Sequence, residues 1–315
     1  MQYLIIIISV ASVEALLICF FYGYLISRLD RFGSISSRVI SLSFLCGIAS
    51  IPLVIVVQKL LPIHVFRFEN DLVLSVWDCY FRAGFIEETG KLYIFLLVLY
   101  GLKQFRLPVH GIILFSLCGL GFAVVENIYY LTGIAFSTLA NKGNLADSII
   151  AGALFRGLPG HILFDAIAGF FLGMAKYKKE MENIYFLKGW VTAVMMHGTF
   201  NFIPDLGYVL EERTGNTVYG LVLILLFLIY ILALILTTHG VFNLGFKLST
   251  REVEFHKLTK GELEYLRQLR LDRMQDLKRF KKLVPLLSLA VVVFFVFSIL
   301  LMVLMPDVAD IEKLI

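Results

Sequence analysis

Charge is what this sequence has least of. Only 17% of its 315 residues are Asp, Glu, Lys or Arg, whereas soluble domains carry about 25%. The hydrophobic set makes up 59% and the mean hydropathy is +0.85, so the solvent for most of the surface is lipid. No nucleic-acid partner is expected. Cysteine is equally sparse: Cys19, Cys46, Cys79 and Cys118 stand singly in or beside apolar runs, which excludes a disulfide framework. An HExxH zinc helix motif, internal repeats and low-complexity segments are absent as well. The first apolar segment has no basic n-region and is too long for a signal-peptide core, so it reads as an uncleaved span.

What the chain does have is apolar runs of about twenty residues, the length that a hydrocarbon core of about 30 Å demands of each helix. The expected fold is all-α and polytopic, with about eight transmembrane helices at 2–27, 36–61, 72–101, 109–133, 149–175, 187–208, 217–246 and 284–305. The organisation follows as N-terminal transmembrane helices in 1–71, a catalytic membrane core in 72–208, helix seven in 209–248, a basic cytoplasmic helical segment in 249–283, and helix eight with an external tail in 284–315. Within 249–283, Thr259 and Glu262 form a capping-box pattern ahead of Leu263, Leu266, Met274 and Leu277. Its basic character suits an anionic leaflet, and a solvated connecting helix explains it equally well. Cytoplasmic loops hold the excess of Lys and Arg. Twenty of the 28 basic residues follow spans one, three, five and seven, which places both termini outside the membrane.

Charged groups inside spans cost about 2.5–3.5 kcal/mol on insertion scales, so they usually face a partner or a wet cavity. Here they cluster in four consecutive spans: Glu87, Glu88 and Lys91 in the third, Glu126 and Asn127 in the fourth, Arg156, His161 and Asp165 in the fifth, His197 and Asn201 in the sixth. At about 1.5 Å of rise per residue, the acids and histidines fall roughly 14–25 Å deep, within boundary error of one level. We therefore expect a polar site in a central four-helix core. His161 with Asp165, and His197 with Asn201, are four apart and project from one face. Lys91 can neutralise one of the two glutamates and leave the other free to exchange a proton. Arg156 can bind a substrate carbonyl or sit near the outer headgroups, and the headgroups are the expectation. His64, His110, His239 and His256 lie near span ends or in loops and receive no role.

Hydrolysis inside a membrane needs a water, a base to activate it and donors for the developing oxyanion. Either Glu87 or Glu88 can be the base, His161 and His197 can hold the water or protonate the leaving amine, and the Asn201 amide can donate to the oxyanion. Alternatively Glu126, His161 and His197 offer zinc three ligands and an open fourth position, with Asp165 orienting the His161 ring. Buried Glu and His chains also make proton relays, so a proton-coupled transporter is the alternative of another class.

Four blocks in order, Glu87-Glu88 with Lys91 (EExxK), Phe122 to Glu126 with Asn127 (FxxxEN), His161 with Asp165 (HxxxD) and His197 with Asn201 (HxxxN), resemble the PrsW proteases, relatives of the CAAX-prenyl-protease and bacteriocin-processing membrane enzymes. The resemblance covers about residues 72–208. It implies intramembrane proteolysis, often described as metal-dependent, with the paired glutamates and a histidine essential. The implied substrate is a membrane protein, an anti-sigma factor in the family's regulated proteolysis. The wider superfamily implies a glutamate-activated water without metal.

Overall fold

The computed structural model describes residues 2–30, 32, 34–60, 70–141, 148, 152, 155–255 and 268, and every regular element among them is helical. The order is α1 (Gln2–Ser27), α2 (Ser37–Leu60), α3 (Asp71–Val76), a π-helical stretch (Trp77–Phe85), α4 (Ile86–Phe95), a π-helical turn (Leu96–Tyr100), α5 (Pro108–Ala140), α6 (Gly160–Tyr177), a 3₁₀ turn (Lys179–Met181), α7 (Glu182–Thr214) and α8 (Val218–Phe255). Three of these helices, over Ser37–Leu60, Pro108–Ala140 and Val218–Glu252, are long and apolar enough to cross a membrane. The eighth expected span, 284–305, and nearly all of the basic segment 249–283 lie outside the described residues.

The helix ends differ from the sequence expectation where local chemistry decides. The third rod begins at the Asn70 side chain, which accepts from the Leu72 amide at 3.0 Å, then widens into nine residues of π-helix ahead of the two glutamates. π-helix is rare and mostly occurs as single-turn bulges within α-helices, frequently at functional sites. The fifth span is broken, not continuous: Pro159 lies outside helical geometry and α6 starts at Gly160, which puts His161 in its first turn. Proline has no N–H to give a helix interior but is at home beside a helix start. At 38 residues, α8 is about 57 Å long, well beyond the hydrocarbon thickness of about 30 Å. Its far end is tied down by buried Ser249, whose Oγ accepts from the Val109 amide at 3.1 Å and donates to the Gly245 carbonyl at 2.7 Å.

The described residues fall into two compact units, one drawn from Tyr22–Ala123 and Pro159–Leu269, the other from Met1–Phe21 and Val124–Leu158. In the first unit, residues 108–123 of α5 pack with almost no space to spare. A Cβ built on Gly47 of α2 would stand 1.8 Å from the Cys118 carbonyl oxygen, and one on Gly119 would stand 2.1 Å from Asp165 Oδ2. Small residues let membrane helices approach to backbone contact, and here that approach carries α6 up to α5 at the level of Asp165.

His110, given no role from sequence, is fully buried. Its Nδ1 accepts from the Arg106 and Leu107 amides at 3.4 Å each, and its Nε2 lies 2.7 Å from Ser34 Oγ. The ring thus satisfies backbone donors at the start of α5 and ties that start to the 28–36 connection.

Candidate active site

Glu87, Glu88 and Lys91 project from α4, His161 and Asp165 from the first turns of α6, and His197 from the middle of α7. All belong to the first unit. Glu88, Lys91 and Asp165 are wholly buried, His197 and Glu87 nearly so, and His161 is half-buried.

Lys91 is the hub. Its Nζ donates to Asp165 Oδ2 at 2.7 Å, stands 3.3 Å from His161 Nδ1, and makes a charge contact of 2.8 Å with Glu88 Oε2. That last contact is a fully buried ion pair. The aromatic rings of Phe122 and Phe164 flank the ammonium at 5.3 and 5.2 Å from their centroids, close enough for a cation–π contribution. The expected pairing of Lys91 with one glutamate is found and is shared with Asp165. The expected role of Asp165 as an acceptor for His161 gives way, for Oδ2, to acceptance from Lys91.

Glu88 turns its other oxygen to His197, with Oε1 to Nδ1 at 2.6 Å. The opposite ring nitrogen, Nε2, lies 3.8 Å from Glu87 Oε2. The two imidazoles meet edge to face with centroids 4.8 Å apart, and Phe164 stacks on His197 at 5.0 Å. Phe122, the head of the FxxxEN block, and Phe164, which had no assignment, are also parts of the site; the place of Phe164 one residue before Asp165 was the available signal.

Glu87, His161 and His197 each bring one ligand-type atom within 4.8 Å of the others. A carboxylate and two imidazoles, with a fourth position for water, are the donor set of catalytic zinc. His197 also has its far nitrogen bound to a carboxylate, as metal-bound histidines commonly do. The donor set fits a divalent metal by chemical type, with Glu87 where the sequence reading had placed Glu126.

Glu126 and Asn127 fall in the other unit. There the Arg156 guanidinium binds Glu126 Oε2 and donates through Nε to Asn127 Oδ1 at 3.0 Å, Asn127 Nδ2 donates to the Arg156 carbonyl at 3.1 Å, and Arg156 lies 4.5 Å above the Tyr130 ring. This pairing accounts for Arg156 without invoking headgroups. Asn201 is partly buried one helical turn beyond His197 on α7.

Comparison with known proteins bears on the same residues. The family model described as "PrsW family intramembrane metalloprotease" matches residues 36–235, and the chain belongs to that family. Among similar proteins named Protease PrsW, that of Oceanobacillus iheyensis is 33% identical over 132 residues, covering 40% of this chain and 54% of the relative. That of Geobacillus kaustophilus is 28% identical over 152 residues, covering 48% and 61%. That of Halalkalibacterium halodurans is 26% identical over 195 residues, covering 62% and 80%. The first two alignments thus span less than two thirds of the relatives' own length. No solved structure matches significantly. Membership and the apolar helices make the chain an integral membrane protein, with relatives in bacteria.

Proposed function

We propose that the chain is an intramembrane endopeptidase in which Glu87 activates a water against a peptide bond of a membrane-embedded substrate. The observation that carries this is the buried arrangement in which Glu88 is occupied by Lys91 and His197 while Glu87 faces the outer nitrogen of His197. A carboxylate held between a cation and an imidazole N–H orients its neighbours; Glu87, which shares a cluster with both imidazoles, is placed to take a proton. His161 and His197 serve the water and the leaving amine. Asn201, one turn past His197, serves the oxyanion, and Asp165 with Lys91 supports the cluster. Glu126 and Asn127 act as structural supports through Arg156. Where a divalent ion such as zinc is bound, Glu87, His161 and His197 would hold it, and it would polarise the water and the scissile carbonyl.

The arrangement of eight spans around a four-helix core, with both termini outside the bacterial cytoplasmic membrane, completes this reading. The substrate class is a single-span or tail-anchored membrane protein cleaved in regulated proteolysis, an anti-sigma-factor-like protein being the family's pattern. The basic composition of 249–283 suits contact with anionic lipid. The proton-coupled transporter finds no support in the family match.

The test is cleavage of a single-span reporter by purified protein in liposomes. Wild type should cut it, while Glu87→Gln and His197→Ala, both folded by thermal melt, should not. Wild-type rates in both variants, or proton-coupled flux without peptidase activity, would refute the proposal.

A further inference from the structure

Lysine donates three hydrogen bonds and accepts none, whereas an ionised carboxylate only accepts. The two site histidines are each held on one nitrogen by a group of opposite kind. His197 Nδ1 lies 2.6 Å from the Glu88 carboxylate, so Nδ1 carries a proton, and in the neutral ring Nε2, 3.8 Å from Glu87 Oε2, keeps its lone pair. His161 Nδ1 lies 3.3 Å from the Lys91 ammonium, so that nitrogen is the acceptor and the proton of the neutral ring resides on Nε2. The hydrogen bond that one ring nitrogen makes decides which form the other takes.

We infer that Lys91 is a positioning residue that holds His161 in the tautomer opposite to the one Glu88 sets in His197, one imidazole offering an N–H and the other a lone pair to the reacting centre. This deepens the proteolytic reading and rests on it. A water between Glu87 Oε2 and His197 Nε2 then meets two acceptors, so it donates both protons and turns its oxygen lone pair outward. His161 presents a hydrogen-bond donor for the carbonyl oxygen, and the proton that Glu87 takes from the water is the one delivered to the departing nitrogen. No bond is made or broken by Lys91 itself. The same contact bears on metal: an Nε2–H imidazole coordinates nothing through that nitrogen, so the full Glu87–His161–His197 set takes an ion only if Lys91 releases Nδ1. Lys91 thereby opposes metal occupancy of the triad.

The experiment is ¹⁵N NMR of ring-labelled, chelator-treated protein in bilayers. The six histidines are assigned by difference spectra from His161→Gln and His197→Gln. Wild type should show His161 protonated at Nε2 and His197 at Nδ1. In Lys91→Arg, which only donates, the pattern should persist; in Lys91→Met the His161 signal should move to the Nδ1–H form or an even mixture, with His197 unchanged. The charge-compensated pair Lys91→Met with Asp165→Asn guards against a variant that fails to fold. It should bind added Zn²⁺ at least about tenfold more tightly than wild type, the scale of second-shell effects on metal affinity. His161 protonated at Nδ1 in wild type, or equal Zn²⁺ affinity in the double variant, would overturn the inference. These readouts need no cleavage: the expected spectra with no peptidase activity would sink the proteolytic reading alone, and the wrong spectra in an active, Glu87-dependent protease would sink this one alone.

Discussion

Replacing Lys91 by methionine isolates the term on which the cluster stands. Its ammonium is 2.8 Å from Glu88 and 2.7 Å from Asp165, with all three side chains wholly buried. At an effective dielectric of about 20, each contact is worth about 6 kcal/mol of Coulomb energy before desolvation is charged against it. Taking three ions out of water offsets most of that, so the net value of the assembled cluster is small. Removing one member is a different matter, because it leaves like charges buried together without their counterion, and such losses run about 3–5 kcal/mol. Lys91→Met should therefore lower the unfolding free energy by about 3–5 kcal/mol, measured by reversible unfolding in mixed micelles with rising SDS and followed by tryptophan fluorescence. Adding Asp165→Asn removes one of the stranded charges. The double variant should be more stable than the sum of the single effects implies, by about 0.5–3 kcal/mol of coupling. A Lys91→Met protein within about 1 kcal/mol of wild type, well under the usual loss on breaking a buried pair, would show that the three groups are not a paired cluster.

Two further outcomes follow from packing. Gly119→Ala would set a methyl 2.1 Å from Asp165 Oδ2 and 2.7 Å from the His161 carbonyl oxygen; overpacking of this kind costs about 1–3 kcal/mol. It should lower both thermal stability and reporter cleavage, and a fully active, equally stable variant would contradict the close approach of α5 and α6. His110→Ala removes the acceptor for two backbone amides and should cost about 1–3 kcal/mol, seen in the same SDS titration. Its Glu87-dependent cleavage should survive at temperatures where the variant is folded.

The all-α character was legible because lipid exposure leaves a coarse compositional trace, and α1 and α2 match their expected bounds within one residue. The polar blocks were legible because intramembrane charge is expensive, so Glu87, Glu88, Lys91, His161, Asp165 and His197 stood out and fall together in one unit. What the pattern could not carry is direction. Periodicity puts Lys91 within reach of both glutamates, and only the arrival of α6 shows that Asp165 shares the ammonium. Glu126 stood out for the same energetic reason as the others, but it is a partner for Arg156 in a different unit. His110 was passed over because a histidine near a span end looks interfacial, and its job depends on two amides and a serine that only the folded connections bring to it.

The paired glutamates make the sharpest case, because residues one apart on a helix point about 100° away from each other and cannot do the same work. Glu88 is enclosed by Lys91 and His197, while Glu87 retains slight exposure and belongs to the triad with both imidazoles. Glutamine in place of Glu87 keeps the shape but removes the proton acceptor, so cleavage should fall to the uncatalysed background. Glutamine in place of Glu88 can still accept from His197 Nδ1 through its carbonyl oxygen, and loses only the charge that steadies the ring and faces Lys91. Partners of that kind are worth about 10–100-fold, so Glu88→Gln should retain measurable turnover at about 1–10% of wild type in the liposome assay. Equal loss in the two variants would mean that both carboxylates meet the substrate, and the separation of base from orienting group would have to be abandoned.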